Sequence, residues 1–556
     1  MNYKRHMVWV CWILLMVLLL LIAILCLVPP ISRDALVHHL AIPKIYISQR
    51  RIIELPCMVY SYYPMNLEVL FGIALYLGSD IAPKFIHFFF GILTSVLIFN
   101  YLKARLDRIY ALLGVLLFFT IPIIIKLCIT AYVDLGLVFF STAALFCLFK
   151  WVDSKFNLQH LILSGFFCGM AMGTKYNGFL TFVLLMLAVF YLCSHTLTDK
   201  NAFFRMIMGL IVFFSIAVTV YSPWGIRNYL WTGNPVYPLF NGYFNIENGN
   251  RCINSLAFEK GEQEDLNPFE YRRLIYHENL WSFIWLPIRI FFEGKDNDFQ
   301  HFDGKLTPLL LFLPIFAFAG RPNQKKSIQY EKIVLLGYAG LFIVFALLTT
   351  VARVRYLAPV IPVLVVLSIF GIHSIVCYIK EKKGNPFLKK TTKAVIFFVL
   401  MFQLFYCSRY VLEQYQYVNP FPYLMGKITK QGYISSFTPE FLAFEYMDQH
   451  LSKDAKILFV FIGKRGYYCD REYIPDNGKN IRLLYALSQK NEDATKVISE
   501  IKRMGITHLL INNALVKQQI QNDLDDEKMK LFYDFFYQYT KSKFDKRGFS
   551  LYELKI

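Results

Sequence analysis

Long apolar runs, broken at short polar intervals, occupy the first 410 positions of this 556-residue chain. A run of about twenty apolar residues crosses a bilayer as a helix. Such runs fall near 7–28, 83–102, 109–126, 132–150, 159–174, 177–194, 204–222, 305–320, 332–350, 356–378 and 394–411, and they predict about eleven transmembrane helices. Gly173-Thr174-Lys175-Tyr176-Asn177 interrupts one long apolar region and predicts a tight hairpin. The segment 65–78 is apolar too, but it is short for a crossing and contains Glu68, so it predicts an interfacial helix lying on the membrane. If it crossed instead, the sidedness of every later loop would invert.

The pattern changes after residue 410. The stretches 456–462 and 506–512 read as buried strands and 549–555 as a last strand, with helical periodicity at 438–451, 492–504 and 525–541. The expected fold is therefore mostly α. A membrane domain over 1–410 has a large first loop, 29–82, and a long loop, 223–304. A small α/β domain follows over 411–556. No G-x-G-x-x-G follows a strand and no P-loop is present, so a nucleotide site has no support.

Composition agrees: 56% of residues are hydrophobic and 17% charged, against about 25% charged in soluble proteins. The formal net charge of +19 would suggest nucleic acid if the cations formed one patch. They gather instead in alternate short loops: Lys4 and Arg5; Lys103, Arg105 and Arg108; Lys150 and Lys155; Lys200 and Arg205; Arg321, Lys325, Lys326 and Lys332; and six lysines from Lys380 to Lys393. This is the positive-inside distribution. It removes nucleic acid from the expected partners and puts the loops 29–82 and 223–304, with the C-terminal domain, on the exoplasmic side of a plasma (inner) membrane. The first apolar run is long for a signal peptide and ends at Pro29-Pro30 without a small-residue cleavage site, so it is expected to stay as a span. The eleven cysteines show no zinc-ligand spacing. Cys57, Cys252 and Cys469 lie in polar segments and allow one disulfide.

Candidate chemistry concentrates in Asp34–Glu68, where Asp34 is followed at i+4 and i+5 by His38 and His39, then by Arg50 and Arg51 and the aromatic Tyr60, Tyr62, Tyr63 and Pro64. On the expected topology Asp134, Lys175, Arg227 and Arg355 fall on the same membrane face. Ionisable groups at membrane depth are costly and usually functional. Each has a plainer reading: Asp34 as a helix cap, Asp134 as a cap or a partner of Lys126, and Lys175, Arg227 and Arg355 as headgroup anchors. The histidines read more readily as scaffolding than as metal ligands. The set points further than its members, because capping and anchoring alone would not concentrate acids on one face.

Asp34-Ala-Leu-Val-His-His-Leu with Pro43 and Tyr46, Tyr63-Pro64-Met65-Asn66-Leu67-Glu68, and Tyr132-Val133-Asp134 resemble motifs of the GT-C superfamily of membrane glycosyltransferases. So do Gly173-Thr174-Lys175-Tyr176, Pro223-Trp224-Gly225-Ile226-Arg227-Asn228 with the run from Thr232 to Pro238, and Arg355-Tyr356-Leu357 with Pro359 and Pro362. The likeness is to the bacterial branch that includes protein O-mannosyltransferases, the lipid A aminoarabinose transferase and rhizobial lipopolysaccharide-core transferases. It implies inverting transfer of a sugar from a polyprenyl-phosphate-linked donor to a glycolipid, lipopolysaccharide or protein acceptor at the bilayer. It makes Asp34 the catalytic base, Lys175 with Arg227 or Arg355 the holders of the phosphate, and Asp134, His38, His39 and Glu68 positioning groups. Ala35 stands where several members have a second acid, so neither a metal nor another cofactor is expected. Two other classes stay open at this level. A lipid-linked glycan transporter or flippase would place its charges near the bilayer midplane within repeats. A non-catalytic assembly factor of cell-envelope glycan synthesis would use 411–556 as a binding module.

Overall fold

The computed structural model describes residues 2–197, 200–244, 267–319, 326–349, 351–381, 386–476, 480–488, 499 and 501–555. The first ten helices are α1 (Asn2–Cys26), α2 (Ala41–Ser48), α3 (Asn66–Tyr76), α4 (Ala82–Arg105), α5 (Arg108–Phe119), α6 (Pro122–Cys128), α7 (Asp134–Asp153), α8 (Leu158–Met172), α9 (Asn177–Thr196) and α10 (Ala202–Thr232). Among the described residues eight segments are long and apolar enough to cross a membrane. They lie in α1, α4, α7, α9 and α10 and in Lys326–Leu348, Val354–Ile379 and Lys390–Val418. The protein is a multi-pass membrane protein.

Three of the eleven expected spans depart from that rule, each for a local reason. The run 109–126 is two helices, α5 and α6, bent by 70°. Pro122 forces its neighbour Ile121 out of the helical region, to ψ 124°. The run 159–174 yields only the fifteen residues of α8, which stops at the hairpin containing Gly173. The run 305–320 becomes a short helix, Leu309–Phe312, followed by a 3₁₀ turn, Leu313–Phe318, with Pro314 at its start. The segment 65–78 forms α3, whose eleven residues cover about 16 Å, roughly half a hydrocarbon core. At the other boundaries helices run on: α10 continues to Thr232 through Pro223, and the last span continues to Val418.

The C-terminal sheet has five strands: β1 (Lys456–Val460), β2 (Glu472–Ile474), β3 (His508–Asn512), β4 (Thr540–Lys546) and β5 (Phe549–Leu554), in the order β2-β1-β3-β5-β4. β1 pairs in parallel with β2 and β3, and β5 runs antiparallel to β3 and β4. Alternate residues feed two cores. Leu458, Val460, Leu509 and Ile511 face one, and Ile457, Phe459 and Leu510 the other, as strand geometry requires. β1, β3 and β5 match the expected strands. β2 is only three residues long, and β4 is an edge strand reading TKSKFDK, too polar to show as a strand in the hydrophobic pattern. Helices Phe441–His450 and Asp526–Tyr539 fall on two of the expected helical stretches. Most of the third, 492–504, lies outside the described residues, as does Cys252. Cys57 is disulfide-bonded, while Cys469 is free and buried.

The C-terminal domain is clamped to the first loop. The Tyr467 N–H donates to the Leu36 carbonyl at 3.1 Å, the Tyr468 hydroxyl to the Pro30 carbonyl at 2.8 Å and Lys44 Nζ to the Tyr467 carbonyl at 2.6 Å. Lys44 also pairs with Asp470 at 2.5 Å. The principal core continues from the spans through the first loop to Tyr433 and Tyr467.

Candidate active site

Directly after α1 the chain leaves the bundle through Pro29-Pro30 and makes a single wide, π-type turn, Ala35–His39, with Asp34 at its amino-terminal end. Asp34 makes no side-chain capping bond to this turn, which removes the plain capping reading. Its Oδ2 lies 2.5 Å from Arg355 Nη2, and its backbone N–H reaches the Tyr132 hydroxyl at 3.5 Å. The Arg355 guanidinium packs over the Tyr132 and Tyr356 rings, 5.2 and 5.3 Å from their centroids. Its Nε is buried without a protein partner. Burial alone would push the Asp34 carboxyl up. Arg355 and the two histidines outweigh that and hold it well below the usual carboxylate range.

A second ion pair stands beside the first. Asp134, the first residue of α7 and 1% exposed, accepts from Lys175 Nζ at 2.7 Å. Asp134 does not cap its helix, and its other oxygen, Oδ2, is buried without a partner. The Lys175 ammonium also lies 5.0 Å from the Tyr356 centroid, so Tyr356 touches both cations. Lys126, an alternative partner for Asp134 on sequence, pairs instead with Asp296 and Asp303 at 3.2 and 3.0 Å.

His38 and His39 face different neighbours. His38 stacks on Tyr60 with centroids 4.3 Å apart, and His39 Nδ1 meets Glu68 Oε1 at 2.8 Å. Burial pushes His39 down to about 3 and Glu68 up to about 8. At neutral pH the pair is therefore uncharged overall, with the Glu68 carboxyl protonated against a neutral imidazole.

Two glycines bring this pair close. A Cβ on Gly136 would lie 2.5 Å from Leu67 Cδ2, and one on Gly173 would lie 2.4 Å from Asn66 Nδ2. Only a bare backbone lets α3 approach α7 and the α8–α9 hairpin so closely. Asn66 completes the joint: its N–H donates to the Gly173 carbonyl at 3.0 Å, its side-chain amide to the Met170 carbonyl at 3.1 Å, and its Oδ1 accepts from Trp224 Nε1 at 2.8 Å.

Asp34, His38, His39, Glu68, Lys175 and Arg355 all line one cavity of about 1310 Å³. Asp134 is buried behind Lys175. Arg227 is not part of the wall. Its guanidinium donates to the Tyr63 carbonyl at 3.0 Å and to Asn228 Oδ1 at 2.9 Å, between the rings of Trp224 and Trp231. Asn228 in turn donates to the Tyr62 carbonyl at 2.7 Å. Arg227 thus fastens the aromatic segment of the first loop to α10.

The sequence reading passed over His87. It is fully buried, and its Nδ1 faces the Leu127 and Thr130 carbonyls, each at 2.9 Å. Two acceptors there require the proton on Nδ1, so Nε2 is free to accept the Leu135 N–H at 2.8 Å. His87 therefore satisfies the amino terminus of α7 and fixes the turn that carries Tyr132 and Asp134. A lone histidine inside an apolar run was the available signal.

The fold that carries this site is shared with solved membrane proteins. Cupriavidus metallidurans ArnT, solved bound to undecaprenyl phosphate, superposes with a TM-score of 0.55 at 11% identity, covering 99% of this chain and 98% of that one. The Archaeoglobus fulgidus oligosaccharyltransferase tethered to an acceptor peptide gives a TM-score of 0.53 at 12% identity, with 99% and 74% covered. Its complex with an inhibitory peptide and a dolichol-phosphate gives 0.52 at 12%, with 98% and 74% covered. The chain shares the fold of these membrane proteins. Residues 58–229 match the dolichyl-phosphate-mannose-protein mannosyltransferase family. No curated protein matches the chain by sequence.

Proposed function

We propose that the chain is an inverting glycosyltransferase that moves one sugar from a polyprenyl-phosphate-linked donor to a hydroxyl of a glycolipid, lipopolysaccharide or protein, on the exoplasmic face of the plasma membrane. One observation carries this reading: the Asp34–Arg355 and Lys175–Asp134 pairs converge on one cavity beside a shared aromatic residue, Tyr356. The polyprenyl phosphates bound by the structural neighbours support the donor class.

In this mechanism the acceptor oxygen attacks the anomeric carbon while Asp34 takes its proton. The bond from that carbon to the phosphate oxygen breaks, the configuration inverts, and the polyprenyl phosphate departs with the electron pair. A carboxylate held ionised within hydrogen-bond reach of a hydroxyl serves as such a base. Arg355 has donors to spare: Nη2 holds Asp34, and the unpartnered Nε is free for a phosphate oxygen. Lys175 supplies the second positive charge. Fixed cations stabilise charge as it develops on the leaving group. Asp134 positions Lys175, and the uncharged His39–Glu68 pair holds the wall of the first loop without competing for the phosphate. Arg227 acts in this account as an anchor for the first loop and not as a phosphate ligand.

The test is mass spectrometry of cell-surface glycans and glycolipids from cells with and without the protein. The expected result is one glycan species shortened by a single sugar in its absence, with the polyprenyl-phosphate-linked sugar accumulating. Unchanged glycans with an accumulated lipid-linked intermediate on one leaflet only would point to a transporter instead.

A further inference from the structure

Four cations line the cavity where the C-terminal domain closes over the first loop: Arg33, Arg353, Lys464 and Arg465. Arg465 is matched by Glu440 at 2.8 Å. Arg33, Arg353 and Lys464 form no ion pair among the described residues, in contrast to Lys126, Lys175, Lys305 and Arg355 on the same wall. Arg353 packs on Phe299 at 4.5 Å and leaves its buried Nε without a partner.

Lys464 is not a loose surface lysine. It follows Gly463, whose φ of +73° suits only a residue without a Cβ at low cost. The turn is held on both sides: the Asp476 N–H donates to the Gly463 carbonyl at 3.1 Å, and Tyr467 is bonded to Leu36. The half-buried Lys464 ammonium sits 5.7 Å from the centroid of Tyr60, the ring on which His38 stacks. Burial and nearby Arg33 push it below the usual lysine range, with Asp476 opposing. Unneutralised cations held in place on a cavity rim are a standing site for an anion.

We infer that Lys464, with Arg33 and Arg353, forms a second anion subsite through which the C-terminal domain binds an acidic group, phosphate or carboxylate, of the acceptor. The inference rests on the transferase reading and deepens it. Arg355 and Lys175 serve the leaving phosphate next to Asp34. The second subsite adjoins them, with Arg353 5.8 Å from the centroid of the same Tyr356 ring and Lys464 over Tyr60, and receives the acceptor, so the acceptor is anionic close to the hydroxyl that is glycosylated.

The experiment uses the full chain, wild type and with Lys464→Glu, Lys464→Gln or Lys464→Arg. Binding of undecaprenyl phosphate and of undecaprenyl diphosphate is measured on purified protein in nanodiscs, and the surface glycolipids of cells expressing each form are resolved by anion exchange and mass spectrometry. The expectation is that Lys464→Glu leaves binding of both lipids within about twofold while lowering the mature, acid-bearing product about tenfold or more. Lys464→Gln falls between, and Lys464→Arg restores the product. Because Lys464→Gln and Lys464→Arg touch no hydrogen-bonded side chain, they separate charge from folding. Selective loss of undecaprenyl diphosphate binding would assign the subsite to the donor and overturn the inference. So would a neutral product, or a product level indifferent to the charge at 464. Failure of the wild-type chain to bind undecaprenyl phosphate would overturn the transferase reading itself, and the subsite with it.

Discussion

At the residue scale the site depends on which acids are kept ionised and which are not. Asp34 sits against Arg355 and stays a carboxylate well into acid, whereas Glu68, buried beside a neutral His39, is shifted from 4.5 to about 8. Because the Glu68 value is raised on folding, its favourable contribution is complete below about pH 4.5 and is lost as pH climbs through about 8. Glu68→Gln keeps a neutral hydrogen-bonding group at the position and cannot ionise. Thermal unfolding in detergent is therefore expected to decline less between pH 5 and pH 9, roughly the window of that shift, for the variant than for the wild type. Equal slopes would mean that Glu68 is already ionised in the fold. Arg355→Lys keeps the charge but loses the planar fork that reaches Asp34 and a phosphate together. A drop of about tenfold or more in transfer is expected, with retained expression, measured as product per unit of folded protein.

Elements meet at the site through close approaches that a hydropathy pattern does not display. The reading of Asp34, Lys175 and Arg355 from sequence rested on their position at one end of the spans, and the structure does bring these three to one cavity. What stayed hidden were contacts set by tertiary packing: Gly136 against Leu67, His87 bridging three backbone groups, and Lys464 arriving from a turn more than four hundred positions after Asp34. Arg227 shows the opposite case. It sits in a motif next to the site, but its Nε and Nη2 are turned to Tyr63 and Asn228 and it lies outside the cavity wall, which no spacing rule could show. Gly136→Ala is expected to cost about 1–3 kcal/mol through overpacking. Leu67→Ala in the same chain should recover part of that cost, giving a coupling in the double-mutant cycle of about 0.5 kcal/mol or more. His87→Phe strands the Thr130 carbonyl and the Leu135 N–H and should cost more than Gly136→Ala, read as a lower Tm. Simple additivity of Gly136→Ala and Leu67→Ala would contradict the contact.

For the whole molecule, the mostly helical membrane part and the small α/β domain were legible because hydrophobic period and run length differ so plainly on either side of residue 410. The number of full crossings was less so, since Pro122, Pro314 and the hairpin at Gly173 shorten or bend apolar runs without making them less apolar. The domain contact was not legible at all. It makes the C-terminal domain part of the site's wall, and a chain ending at Val418 would leave the Leu36 and Pro30 carbonyls without their partners. Such a truncation is expected to speed amide hydrogen exchange across residues 31–40 and to abolish transfer. Unchanged exchange would make the domain a bystander.

The central claim is that Asp34 is the base for sugar transfer at this cavity. Its most direct test compares wild type with Asp34→Asn in cells, by mass spectrometry of the glycosylated product per unit of folded, membrane-inserted protein. The account predicts product formation reduced by about 10²–10⁴-fold with undecaprenyl phosphate binding retained. Transfer at the wild-type rate by correctly folded Asp34→Asn would contradict it.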